Sequence, residues 1–176
     1  MVGRHIMEGQ LGCPVCEAVY PIAGGAVLFA PAPAPAPRGT TEPDDILRTA
    51  ALLDLADPGG VVVLVGAWSA YARPLADVVD AHLLAIDPTA PTEGASIIHA
   101  GGAMPLAAGS VRAVATNNPE AVVRALRPGG RLLAPVTASV PAGVTELARD
   151  ERHWVGVTAT AGVSAPVNLG RRGRQS

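Results

Sequence analysis

Leu126-Arg127-Pro128-Gly129-Gly130-Arg131-Leu132-Leu133 is the stretch on which the reading of this chain turns. Ala121-Val122-Val123-Arg124-Ala125 runs into it with apolar residues at helical spacing, and an apolar run continues beyond it to Val136. Proline cannot continue a helix, and paired glycines permit the left-handed backbone that turns a chain back on itself. The pattern predicts a helix over residues 119–127, a reversal at Pro128-Gly129-Gly130 and a strand over 131–136.

Outward from this junction, helical and strand patterns alternate. Thr41 is placed to cap a helix with Pro43, Asp44 and Asp45 in its first turn. Ile46, Leu47, Ala50, Leu53 and Ala56 recur at helical spacing until Pro58-Gly59-Gly60 stops them. Val61-Val62-Val63-Leu64-Val65 is apolar without alternation, as a strand buried on both faces requires. A helix over 73–82, strands over 83–86, 96–99 and 111–116, a helix over 141–151, and strands over 154–158 and 167–169 complete the series. Such alternation predicts a doubly wound α/β fold with a mostly parallel sheet and helices on both faces. Residues 30–38, Ala-Pro-Ala-Pro-Ala-Pro-Ala-Pro-Arg, favour extended polyproline and read as a spacer.

The chain has 176 residues, 49% of them apolar but only 3% aromatic, so its core must be built from small aliphatic side chains. A net charge of −2 offers no field for nucleic acid or anionic membrane, and Arg171-Arg172-Gly173-Arg174 is only a short basic tail. All basic residues are arginine, which excludes a Walker lysine and Schiff-base chemistry. No apolar run is long enough to span a bilayer, and the N-terminus lacks the apolar block of a signal peptide. A cytoplasmic location is expected.

The helix–PGG–strand junction resembles the one before the fifth strand of class I S-adenosylmethionine (SAM) methyltransferases. Order and spacing match that family over residues 42–173, about three quarters of the chain. There the first strand ends in an acidic residue and a turn often written D-x-G-x-G-x-G, which lets the backbone approach the cofactor. Here the stretch is Leu64-Val65-Gly66-Ala67-Trp68-Ser69-Ala70-Tyr71. Gly66 matches, Val63 or Leu64 stands at the acidic position, and Trp68 stands about where a second glycine is expected. An indole there opposes ordinary SAM binding, and Trp68 either lids another ligand or fills an emptied cleft.

Asp87 ends the second strand about twenty residues after Gly66, where a doubly wound fold places a ribose-binding carboxylate; Asp87-Pro88 also suits a plain turn. The family's G-D-A-x-x-L-P-F and G-S-F-D correspond to His99-Ala100-Gly101-Gly102-Ala103-Met104-Pro105-Leu106 and Gly109-Ser110-Val111-Arg112. The adenine-binding carboxylate has become Ala100, and the second aspartate Arg112. Thr116-Asn117-Asn118-Pro119 makes a short fourth connection, leaving Asn117 and His99 as polar helpers. The resemblance thus implies a cofactor-facing set of Gly66, Trp68, Asp87, Gly101, Met104 and Asn117, with no catalytic residue, and SAM as the cofactor to test.

Cys13-Pro14-Val15-Cys16 followed by Tyr20-Pro21-Ile22 and Gly24 resembles the zinc-ribbon proteins that partner methyltransferases. A structural zinc needs four ligands. Cys13 and Cys16 supply two and His5 a third; the fourth would come from His82, His99 or a second chain. A metal-free packing turn is the other reading, and a redox pair fits less well because Tyr-Pro-Ile bars the helix it needs.

The expected organisation is a zinc-ribbon-like segment (1–29), a linker (30–40), a methyltransferase-like domain (41–173) and a tail (174–176). The expected function is a non-catalytic binding or scaffolding module, as a homodimer or beside an active methyltransferase. The alternative is an active SAM-dependent methyltransferase. A further possibility is another nucleotide held through Asp87.

Overall fold

The computed structural model describes residues 6–34 and 42–160. His5, Thr41, residues 35–38 of the Pro-Ala spacer, the strand expected at 167–169 and the arginine tail lie outside the described residues.

Among the described residues, ten strands form one sheet: β1 (Gly9–Gly12), β2 (Val19–Ala23), β3 (Ala26–Leu28), β4 (Val61–Val65), β5 (His82–Ile86), β6 (Ser96–His99), β7 (Val111–Ala115), β8 (Leu126–Pro135), β9 (Val144–Arg149) and β10 (His153–Thr158). Their order is β1-β2-β3-β6-β5-β4-β7-β8-β10-β9. Strands β3 to β8 pair in parallel, and β4 lies between β5 and β7 as expected. The run β6-β5-β4-β7-β8 has the 3-2-1-4-5 order of a doubly wound sheet. β10 is antiparallel to both β8 and β9, so one reversed strand is wedged between two that share a direction. β1, β2 and β3 form an antiparallel meander that joins the sheet by pairing β3 with β6.

Among the described residues, the α-helices expected on both faces are found on one, and the other carries only the 3₁₀ turn Val123–Ala125. α1 (Pro43–Leu52), a 3₁₀ turn over Gly66–Tyr71 and α2 (Ala72–Ala76) bring Ile46, Trp68, Ala72 and Leu75 onto Val62, Leu64, Leu83, Ala113, Leu133 and Val155. The alternate strand residues, Val63, Leu84, Ile86, Val114, Leu132 and Trp154, face the other way under Ala100, Met104, Leu106, Val122 and Val140. Those covering residues lie in the connections after β6, β7 and β8. Pro105, Pro119 and Pro141, with Gly101, Gly102 and Gly109, break any helix there. The helix expected over 73–82 shortens to α2 for a similar reason: His82 is already paired with Val61.

The opening stretch folds differently from its local pattern. Only a 3₁₀ turn, Val123–Ala125, precedes β8, because Leu126 already pairs with Val111. Arg131 next pairs with Ala113, so residues 127–130 bulge opposite Arg112 instead of reversing the chain. Gly129 sits at φ +74, and a Cβ on Gly130 would lie 2.8 Å from the Arg127 carbonyl oxygen. Thr158 pins the bulge by accepting from the Gly130 N–H at 3.0 Å and donating to the Arg127 carbonyl at 2.7 Å. The helix expected over 141–151 is also a strand, β9: Val144 and Thr145 are β-branched and pair with Thr158 and Val157.

Candidate functional site

In doubly wound sheets ligands bind outside the carboxyl ends of the strands, where the order reverses. Here that crevice lies beyond β4 and β7. Gly66 leaves β4 at φ +61 and leads into the 3₁₀ turn, which Ser69 secures by donating its hydroxyl to the Leu64 carbonyl at 3.2 Å. The turn points Trp68 into the interior, where it is 6% exposed. Its indole N–H donates to Asn117 Oδ1 at 3.0 Å, and its ring lies 5.5 Å from Tyr71 and 5.1 Å from His153. Two residues expected to face a cofactor, Trp68 and Asn117, are therefore brought together and hydrogen-bond to each other.

His153 and Tyr71 extend the cluster. Burial, then the Arg48 and Arg152 charges, hold the His153 imidazole below its ordinary value, so it is neutral near pH 7. Its Nδ1 lies 3.4 Å from the Arg48 guanidinium. Burial, then Asp45, pushes the Tyr71 hydroxyl up. Arg48 also pairs with Asp150, and Arg152 with Asp45 at 2.7 Å, tying α1 to the β9–β10 turn. Sequence reasoning missed this seam, whose members are remote from one another along the chain.

Asp87 and Gly101 form a second pair. Asp87 occupies the left-handed region at φ 49, and its carboxylate accepts three backbone N–H groups: Ala100 at 2.7 Å, Gly101 at 3.1 Å and Gly102 at 2.8 Å. The side chain placed to receive a ribose instead closes the loop after β6 onto the end of β5. A Cβ on Gly101 would lie 2.8 Å from that of Ala30, so the N-terminal segment packs on this loop. Met104 packs against the core on the sheet face opposite α1 and α2. Beside Asp87 a cavity of about 200 Å³ is lined by Pro33, Pro88, Thr89, Ile97 and His99. The Nδ1 of His99 is buried without a hydrogen-bond partner.

Arg112, which stands where the family resemblance implies a carboxylate, has its own use. It is 8% exposed and donates to the carbonyls of Asp54, Asp57 and Gly59 at 2.5–2.9 Å. A Cβ on Gly60 would meet the aliphatic stem of Arg112 at 3.0 Å, so Gly60 packs against the stem while the three carbonyls hold the guanidinium.

Cys13 and Cys16 lie at the β1–β2 tip, in a turn closed by Cys13 N–H to Ala18 O at 2.8 Å and Glu17 N–H to Cys13 O at 3.0 Å. The backbone N–H groups of Cys16 and Val15, then the Cys16 side chain, hold the Cys13 thiol below its ordinary value. Among the described residues, no three histidine, cysteine, aspartate or glutamate side chains gather into a metal site. His82 and His99 therefore do not complete the pair, as one zinc reading required. No helix among the described residues is long and apolar enough to cross a membrane.

No protein-family model matches the sequence, and no curated protein does. Solved structures to which the chain is similar include the antibiotic-resistance methyltransferase Kmr, at 17% identity and TM-score 0.44, covering 70% of this chain and 95% of that one. A putative SAM-dependent methyltransferase from Methanococcus maripaludis is similar at 9% identity and TM-score 0.43, covering 72% and 98%. A SAM-dependent O-methyltransferase from Thermotoga maritima is similar at 12% identity and TM-score 0.41, covering 72% and 68%. At these identities and scores the likeness assigns no activity to the chain.

Proposed function

We propose that this chain is a methyltransferase-like binding module that acts without catalysis, in the cytoplasm. The observation that carries the reading is Trp68, buried beyond β4 and bonded to Asn117 where the family resemblance would place SAM. The Asp87 carboxylate supports it, being engaged by three backbone N–H groups. Residues that would position a cofactor are thus spent on holding the fold together. The residues present do not fit SAM in its expected place.

The alternative, an active SAM methyltransferase, has one observation in its favour. The cavity beside Asp87 has room for a small ring, and His99, whose buried Nδ1 has no hydrogen-bond partner, is among the residues that line it. Its volume of about 200 Å³ falls below the roughly 300–1,000 Å³ of sites that enclose a drug-sized ligand.

Thermal melting with and without SAM or S-adenosylhomocysteine separates the two readings. A ligand at 100 times its dissociation constant stabilises by about 2.7 kcal/mol. The expected result is an unchanged melting temperature with both compounds at millimolar concentration; a dose-dependent rise would support the active enzyme.

A further inference from the structure

We propose that the cavity at the end of β6 binds a neutral, single-ring ligand whose edge carries a hydrogen-bond donor beside an acceptor, as in a pyridone or a pyrimidinone. The observations are independent of the methyltransferase-like reading. Ile97 pairs with Ala85, two residues along β5 from Leu83, so Ile97 and His99 project toward the face that carries α1 and α2. The step from β5 to β6 continues in the direction of the step from β4 to β5, so both right-handed connections cross on that face. The first contains α2, whereas residues 87–95 cross without a helix. They press on α2 at Gly94, where a Cβ would lie 3.1 Å from the Arg73 Cα. With no helix above them, Ile97 and His99 line a cavity of about 200 Å³. Trp68 lies beyond β4, with β5 between, so this cavity is separate from the crevice it fills.

The lining fixes the class of ligand. Pro33, from the segment after β3, and Pro88 and Pro91, from the loop after β5, give rigid apolar walls suited to a flat ring. Among the described residues, no aspartate, glutamate or arginine lines the cavity, so a charged ligand would leave water without a counter-charge. The Thr92 hydroxyl is already spent on the Ala90 carbonyl at 2.9 Å. An apolar cavity of about 150 Å³ holds benzene, so the space here suits one ring with a small polar edge. His99 supplies the polar recognition. Its carbonyl accepts the Phe29 and Ala30 N–H groups at 2.8 and 2.9 Å, which holds its backbone in place. Its imidazole Nδ1 is buried without a partner, a state that folded proteins seldom leave unanswered. A neutral imidazole donates through one nitrogen and accepts through the other. A ring edge with N–H beside C=O answers either tautomer.

The test titrates 2-pyridone into the full chain labelled with ¹⁵N and follows the ring nitrogens of His99 by NMR, together with the backbone amides of Thr92 and Ile97. The expected result is a saturable shift of the His99 nitrogens and of both amides at millimolar pyridone. Benzoate, which carries a charge on a ring of the same size, should leave them unmoved, and so should S-adenosylhomocysteine. Ile97→Trp, which fills the cavity, should abolish binding. His99→Phe, which keeps the ring but not its nitrogens, should weaken binding by about tenfold, followed through the amides. Should either variant not fold, the wild-type titrations with pyridone and benzoate decide alone. No saturable shift up to tens of millimolar pyridone would leave the cavity to water and overturn the proposal. Equal binding of benzoate, competition by S-adenosylhomocysteine, or unchanged affinity in Ile97→Trp would overturn it as well.

Discussion

Replacing Asp87 by alanine separates a structural clamp from a ligand contact. The substitution removes the acceptor of three N–H groups at 2.7–3.1 Å. Hydrogen bonds to a charged group contribute about 1.5–3 kcal/mol each when shielded. Only Ala100 is buried, at 7% exposure; Gly101 and Gly102 are exposed and can turn to water. Counting about 2 kcal/mol for Ala100 and roughly 0.5 for each glycine gives a loss near 3 kcal/mol. Alanine must also hold φ 49, which adds about 1 kcal/mol. At roughly 2–4 °C per kcal/mol for a chain of this size, melting should fall by about 8–16 °C. Asp87→Gly loses the same bonds without the left-handed strain, so it should be about 1 kcal/mol more stable than Asp87→Ala. Urea unfolding and thermal melting measure both. An Asp87→Ala variant that melts within about 2 °C of wild type would refute the clamp and leave the carboxylate free for a ribose.

Arg112→Met keeps the bulk but leaves the carbonyls of Asp54, Asp57 and Gly59 without their donor; urea unfolding should show a loss of about 2–4 kcal/mol, with Arg112→Lys recovering only part. Thr158→Val should cost about 1–2 kcal/mol by freeing the bulge at Arg127 and Gly130, read as a lower urea midpoint at unchanged slope. His153 has a folded pKa below its ordinary 6.5, so its contribution to stability is fully present above pH 6.5 and is lost as the pH falls through the folded value. Stability measured down from pH 7.5 should therefore decline, and His153→Gln should flatten that decline; an equally steep profile in the variant would remove His153 as its cause.

The parallel strands at the centre of the sheet were legible because their signals are local, whereas β1 and β2 carry no such pattern. Val61–Val65 is apolar without alternation, as a strand buried on both faces requires, and residues 83–86 repeat that pattern, as do 111–115 apart from Arg112. Pro128-Gly129-Gly130 was not, because a reversal and a bulge use the same residues. Thr158, some thirty positions away, and the pairing of Leu126 with Val111 decide between them. β9 failed for a similar reason: its helical composition yields to pairing with β10, which no window over residues 141–151 contains. At the site, the position of Asp87 at a strand end was readable from spacing. Its partners were not, since they are main-chain groups of a loop whose side chains say nothing of them. Arg112 read as a lost carboxylate only against a family pattern; its burial among three carbonyls is a property of this chain's own loop.

The central proposal is that Trp68 fills, and Asp87 clamps shut, the place where the family resemblance would put a cofactor. Calorimetric titration of S-adenosylhomocysteine into the wild-type chain tests it most directly, because that compound retains the adenosine and carboxylate groups a working site would hold. The account predicts heats no larger than those of dilution up to millimolar ligand. A saturable isotherm of micromolar affinity, weakened in Asp87→Asn, would contradict it.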